Sequence, residues 1–286
     1  MSAHQQRERL RQVLAGNTFV SPASVYDPLT ARAAEALGYE MMMFAGSTAS
    51  LTVLGAPDLV VLTLSEFAEQ CRRITRAGSL PLMVDADHGY GNALNVMRCV
   101  QEMETAGVSA MSVEDTVLPR AFGTSGETFI TVEEGVGKMK AALAARTDPS
   151  FVIYGRTSAI RGEGLESVLR RARAYEAAGV DGLFFVGLSS RGELEALRAQ
   201  SALPFVLGSA TSELSDMAYL ASQGVKIGGW SHAPLQAAAR AAYDSLRAHR
   251  ESTAPDKLPA SPESSEFMAR LTRQIDYEKA SAEFLK

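Results

Sequence analysis

The sequence predicts a (β/α)8 TIM-type barrel with an N-terminal helix and a C-terminal helical tail. Two observations lead there. Short apolar, β-rich runs recur eight times over about 230 residues, and the stretches between them carry the apolar spacing of a helix. The runs are also continuously apolar rather than alternating, as expected when both faces of a sheet are covered. An open, doubly wound sheet would give similar local signals, but the count and spacing favour the closed barrel.

Taken in order, a helix over about 4–15 comes first. The eight runs follow: TFVSPASVYD (18–27), EMMMFAGS (40–47), LPLMVDAD (80–87), SAMSVEDT (109–116), FVIYGRTS (151–158), GLFFVGLS (182–189), LPFVLGSA (203–210) and VKIGGWSH (225–232). Between them LTARAAEALG, LSEFAEQCRRITRAG, NVMRCVQEMETAG and LESVLRRARAYEAAG read as helices. Each closes on a glycine, at Gly38, Gly78, Gly107 and Gly179, as a helix C-terminus prefers. The barrel with its N-terminal helix is assigned to 1–250. Residues 251–286 form a polar linker, STAPDKLPASPESS, and one helix with an apolar stripe at Phe267, Leu271, Ile275 and Tyr277. Such a stripe needs a cover, which is either a neighbouring subunit or the barrel's own flank.

Composition narrows the function. Of 286 residues, 46% are hydrophobic and 21% charged, enough to bury a core. A net charge of -5 leaves no basic footprint for nucleic acid. The two cysteines, Cys71 and Cys99, fall in helix-like segments and suggest neither disulfide nor zinc, so a reducing cytoplasm is expected. The N-terminus lacks the apolar core of a signal peptide, and no run of about 18 apolar residues exists to span a membrane.

In such barrels the chemistry sits at the C-terminal ends of the strands. Those ends offer Tyr26 and Asp27, Ser47 and Thr48, Asp85, Asp87 and His88, Glu114 and Asp115, Arg156, and Ser231 and His232. The sixth and seventh are milder, with Ser189, Ser190, Ser209 and Thr211. Asp85 and Asp87 are two apart on a strand and so share a face, where they repel unless a cation or proton lies between them. Glu114 from the next strand would add a third oxygen. Carboxylates without thiols favour Mg2+ or Mn2+; the bland reading pairs one aspartate with Arg156 or caps the helix after Asn92. Arg156, in an apolar strand, must find an anion: a substrate carboxylate, held by two prongs, or Glu114 or Asp115. His88 reads equally as a packing or an active residue, and so does His232. Gly89 and Gly91 would let backbone approach a ligand.

The stretches SVYDPLTARAAEALGYE, FAGSTAS, GAPDLVVLTLSEF, DADHGYGNALNVMRCV, VEDTVLPRAFG, VEEGVGKMKAALAAR and GRTSAI resemble the isocitrate lyase/phosphoenolpyruvate mutase superfamily, and most closely its oxaloacetate decarboxylase branch. The resemblance is densest over about 19–160. It implies a (β/α)8 barrel, a Mg2+ ion and a small α-keto acid or its enolate. It also implies a homo-oligomer, often a dimer of dimers, in which the C-terminal helix reaches a neighbour. By that resemblance Asp85 is the metal-binding aspartate, and Asp87 and Glu114 hold the metal through water. Ser47 contacts substrate, Arg156 faces the substrate carboxylate, and His232 matches a histidine of the decarboxylase branch.

Two segments depart from the pattern. Members that cleave isocitrate-like C–C bonds carry a KKCGH-type loop after the fourth strand. Here LPRAFGTSGETF has no cysteine, lysine or histidine. After the seventh strand, where the decarboxylase branch has a tyrosine, this chain reads VLGSATSEL, and IGGWSHAPL also differs around its histidine. The expected reaction is metal-assisted decarboxylation of oxaloacetate or a close β-keto acid, with no nucleophile or organic cofactor. The competing readings are a C–C lyase acting on a substituted malate, a phosphonate mutase or hydrolase, and a silent scaffold barrel.

Overall fold

The computed structural model describes residues 1–208, 211–251, 254 and 262–285. Ser209 and most of the predicted linker lie outside the described residues. Eight strands follow in chain order: β1 (Ala23–Ser24), β2 (Met42–Phe44), β3 (Leu82–Asp85), β4 (Ala110–Glu114), β5 (Val152–Thr157), β6 (Gly182–Phe185), β7 (Phe205–Leu207) and β8 (Val225–Ile227). Each lies within one of the eight predicted runs and pairs in parallel with the next. Closure comes from Val20, whose N–H donates to Lys226 O at 2.8 Å and whose carbonyl accepts from Gly228 N at 3.2 Å. The sheet is therefore a barrel.

The helices are α1 (Ala3–Ala15), α2 (Pro28–Ala36), the short α3 (Gly46–Ala49), α4 (Leu64–Thr75), α5 (Ala93–Thr105), α6 (Val132–Ala145), α7 (Leu165–Ala178), α8 (Arg191–Arg198), α9 (Met217–Ser222), α10 (Ala233–Arg250), α11 (Pro262–Leu271) and α12 (Gln274–Phe284). Side chains local to each start set where they begin. Asp27, Thr63, Asn92 and Ser190 accept from backbone N–H groups of the first turns of α2, α4, α5 and α8. Gly38, Gly107 and Gly179 close their helices with positive φ, whereas Gly78 does not. The core divides in two. Met43, Met83, Ala110, Val152, Tyr154, Phe184 and Val206 fill the barrel, and a larger set packs between strands and helices.

Leu10 of α1 is fully buried in the interior cluster, so α1 plugs the N-terminal mouth. Arg7 fastens the plug: Nε donates to Val108 O at 2.9 Å, Nη2 to Glu104 O at 2.7 Å and Nη1 to Asp148 at 2.8 Å. Arg7→Ala is expected to destabilise the protein by about 3 kcal/mol, because it removes the cation from a part-buried ion pair and the side-chain donor to the Val108 carbonyl. The hydrogen bonds from Arg7, Ser150 and His4 overcome burial and hold the Asp148 carboxyl down at about 2, against an ordinary 3.8. A lowered folded pKa gives stability that is complete above the ordinary value and lost as pH falls through the folded one. Melting temperatures between pH about 4 and 2 should therefore fall less steeply for Asp148→Asn than for the parent; parallel curves would refute this.

The tail differs from the single helix expected. It breaks at Arg273, where φ is 56°, into α11 and α12. Contacts of the break with α2 explain it: Leu271 is buried, Arg32 donates to Leu271 O at 3.1 Å, and Arg273 pairs with Glu35 at 2.7 Å. The barrel's own flank thus covers Leu271, while Phe267, Ile275 and Tyr277 stay exposed.

Candidate active site

A cavity opens at the C-terminal ends of the strands, and Ser47, Asp85, Asp87, Glu114, Arg156 and His232 all line it. The two aspartates reach it by different routes. Asp85 ends β3, whereas Asp87 lies beyond the strand with φ at 47°, so a bent chain rather than strand alternation brings them together. That left-handed conformation is unfavourable for a non-glycine residue and is maintained by its surroundings. Asp87 O accepts from Glu114 N at 2.8 Å. Its carboxylate lies against Gly46, where an added Cβ would come within 2.5 Å of Oδ1. Gly46 is thus required by close approach. Gly89 and Gly91 also have positive φ, but side chains there would strike Val96 and Asn95; they serve the turn into α5 rather than a ligand.

Arg156 bridges the acidic cluster. Its Nη1 pairs with Asp85 and its Nη2 lies 3.2 Å from Glu114, with the guanidinium over the Phe184 ring at 5.3 Å. Its Nε is buried with no acceptor among the described residues. Asp115, the other anion considered for Arg156, is engaged elsewhere: it accepts from Arg171 Nη1 at 3.2 Å and Tyr175 OH at 2.8 Å, with no exposure. Ser112 Oγ donates to Asp85 Oδ1 at 2.9 Å, and Thr116 Oγ1 to Glu114 at 3.1 Å.

Burial first, and then the charges of Asp85, Glu114 and Asp58, hold the Asp87 carboxyl well above the ordinary range. Burial pushes Glu114 up to about 7; Arg156 pulls the other way and Asp85 adds to the rise. Acidic groups buried together against their own charge are a site short of positive charge. Among the described residues no three His, Cys, Asp or Glu side chains converge into a cage by themselves. Mg2+ needs no such cage, since it keeps several waters and takes one or two carboxylates directly. Asp85 as direct ligand, with Asp87 and Glu114 acting through water, fits this donor set.

The remaining predicted residues separate. His232 lines the cavity, and its Nδ1 lies 3.0 Å from Ser24 Oγ and 3.1 Å from Thr48 Oγ1. His88 is buried outside it, with its ring 6.2 Å from Tyr90 and its carbonyl taking a bond from Lys138 Nζ at 3.0 Å; this is a packing residue. Asp27 and Ser190 cap helix starts, and Ser231 Oγ accepts from Ala233 N at 3.1 Å just before α10. Sequence reasoning missed Asp58, Glu127 and Arg161, all in the lining. Asp58 stood in the quoted GAPDLV segment, but nothing local marks that loop as turning inward. Glu127 and Arg161 form an ion pair at 3.2 Å at the rim. Glu127 comes from the loop after β4, whose base is zipped by Thr116–Phe129 pairing. Phe184, Val186 and Trp230 supply an apolar wall.

The description phosphoenolpyruvate phosphomutase belongs to a family profile that matches residues 10–250. The oxaloacetate decarboxylase of Bradyrhizobium diazoefficiens (strain JCM 10833 / BCRC 13528 / IAM 13628 / NBRC 14792 / USDA 110) is 52% identical over 285 residues, covering 100% of this chain and 99% of that protein. A crystal structure of phosphonopyruvate hydrolase complexed with oxalate and Mg2+ has a TM-score of 0.84 at 30% identity, with both chains covered completely. The phosphoenolpyruvate phosphomutase from Streptomyces platensis subsp. rosaceus has a TM-score of 0.85 at 27% identity, covering 98% of this chain and 99% of that one.

Proposed function

The chain belongs to the phosphoenolpyruvate mutase/isocitrate lyase superfamily, and on that premise we propose that it decarboxylates oxaloacetate, or a close β-keto acid, to pyruvate and CO2 with the aid of a divalent ion. One observation carries the reading: buried Asp85 and Glu114 and half-buried Asp87 meet Arg156 in a cavity whose described lining offers neither cysteine nor lysine. The cavity is thus equipped for electrostatic stabilisation rather than covalent chemistry.

In this reading Asp85, Asp87 and Glu114 hold Mg2+, with Mn2+ as a substitute. Once bound, the ion supplies Lewis acidity for the charge that builds on the keto oxygen. Arg156 grips a substrate carboxylate through its guanidinium fork. Arg156 and Ser47 together orient the substrate so that the breaking bond stands perpendicular to the enolate plane. Phe184, Val186 and Trp230 keep water from the departing carboxylate's side. His232 serves as a polar contact for the substrate, and a proton from solvent converts the enolate to pyruvate after CO2 departs. Activity against oxaloacetate is the test. CO2 release with stoichiometric pyruvate is expected, and no metal-dependent turnover across a panel of keto acids would refute the reading.

A C–C lyase on a substituted malate, or a phosphonate mutase or hydrolase, is not favoured. Relatives about half identical over the whole chain bear the decarboxylase name, whereas the lyase, mutase and hydrolase structures are 24–30% identical. A silent scaffold is disfavoured by the complete cluster of carboxylates and arginine. No helix among the described residues is long and apolar enough to cross a membrane; we place the enzyme in the cytoplasm.

The assembly is a homo-oligomer in this reading, a tetramer built as a dimer of dimers. It is supported by the uncovered apolar side chains of α11 and α12 and by α10, which has no buried residue. Truncation from residue 263 onward should lower the mass per particle in light scattering; an unchanged mass would remove the tail from the interface.

A further inference from the structure

We propose that Ser24 and Thr48 set the tautomer of His232, so that its imidazole presents an Nε2–H donor to the cavity. The chemical consequence rests on the decarboxylase reading; the placement of the proton does not.

Three elements meet at this ring. His232 follows β8, Ser24 is in β1 and Thr48 is in α3, so the contact forms where the barrel closes. Both hydroxyls lie on the same ring nitrogen, Nδ1, at 3.0 and 3.1 Å. Among the described residues neither hydroxyl has any other partner for its oxygen or its hydrogen. Each hydroxyl hydrogen requires an acceptor, and the Nδ1 lone pair is the one within reach. Were Nδ1 protonated, its single hydrogen would face two oxygens, and both hydroxyl hydrogens would lack an acceptor. A three-centre arrangement, with both hydroxyls donating to Nδ1, uses every group. The neutral ring then carries its proton on Nε2. Burial supports the neutral form, since it lowers the pKa of His232 against the opposing pull of Asp85.

The other edge of the ring faces the cavity. His232 lines the cavity, whereas Ser24 and Thr48 do not, so the Nδ1 edge is the rear one. Nε2 has no protein partner, yet it is not among the buried polar atoms left without one. It therefore opens onto the space where substrate binds.

This arrangement divides two roles that a histidine can otherwise combine. A neutral imidazole that gave up its Nε2 proton would become an imidazolate, a high-energy base. His232 thus keeps its proton and donates a hydrogen bond to a substrate oxygen on which negative charge grows, the part neutral imidazoles play in other enolate-forming sites. Ser24 and Thr48 are positioning residues acting through it. Thr48, at 1% exposure, is locked in place, and the pairing of β1 with β2 holds the Ser24 backbone.

The test is direct. The full-length protein, labelled with 15N only in its four histidines, is read by long-range 1H–15N correlation without substrate. The His232 signals are assigned by their loss in His232→Gln. A proton on Nε2 is expected in the parent, and a mixture of tautomers in the Ser24→Ala/Thr48→Val pair. That pair should lose roughly ten- to hundredfold in kcat, the scale measured for partners behind metal-ligating imidazoles, with KM moved far less. Thr48→Ser should retain both the tautomer and the rate. If the double variant shows no native melting transition, Ser24→Ala alone is read the same way. A proton on Nδ1 in the parent overturns the proposal. So does a pure Nε2–H signal, or an unchanged kcat, in the variant. Should the parent show Nε2–H yet fail to turn over oxaloacetate, the decarboxylase reading falls and the tautomer assignment stands.

Discussion

Chelation of divalent ions is expected to abolish oxaloacetate turnover while the barrel stays folded, and added Mg2+ or Mn2+ should restore it. The expected loss is about 4 kcal/mol or more of transition-state stabilisation, near a thousandfold in rate, the scale for removing a preorganised partner of a developing oxyanion. Asp85→Asn should give a comparable loss that added metal does not repair. It removes the carboxylate best placed to bind directly, and Ser112 and Arg156 already orient its oxygens. Asp87→Asn and Glu114→Gln should cost less and respond to higher metal concentration, because in the proposed arrangement their contacts run through water. Circular dichroism and kcat measured on the same chelated sample separate loss of fold from loss of chemistry. Full activity in excess chelator would dispose of the metal site altogether.

The barrel was legible because its signals are local. Each strand is a short apolar run between helix patterns, and all eight runs contain one. Ser47, Asp85, Asp87, Glu114, Arg156 and His232 were legible through position, since the topology sends every strand end to one rim. What remained illegible depends on pairing between distant segments. Asp115 adjoins Glu114 in sequence, yet Arg171 and Tyr175 of α7 claim it and leave Arg156 to Glu114 and Asp85. His88 adjoins Asp87, yet the φ of 47° at Asp87 and the turn that follows leave the histidine outside the cavity. The tail's apolar spacing runs on through Arg273, and only the contacts with Glu35 and Arg32 of α2 reveal the break. Asp58 sits in a loop and Arg161 in a single 3-10 turn (Ala159–Arg161), both too short for a periodicity to read, so their inward placement has no local signature.

Arg156→Lys discriminates between the two roles considered for its guanidinium, gripping the substrate and ordering the acidic cluster. Arg156 pairs with Asp85 and Glu114, and its Nε has no acceptor among the described residues. Lysine keeps the charge but loses the planar fork, so it can still sit near a carboxylate without gripping two oxygens at once. If gripping the substrate carboxylate is the dominant role, kcat/KM should fall by roughly 2 to 4 kcal/mol, with metal affinity and melting temperature little changed. If ordering the acidic cluster dominates, metal affinity and melting temperature should fall together, because the lysine ammonium cannot span Asp85 and Glu114. The Phe184 ring, 5.3 Å from the guanidinium carbon, favours the first outcome, because its cation–π attraction supports the guanidinium independently of the carboxylates. A lysine variant with near-normal turnover would end the substrate-binding role for Arg156, and metal affinity measured alongside would then show whether the cluster depended on it.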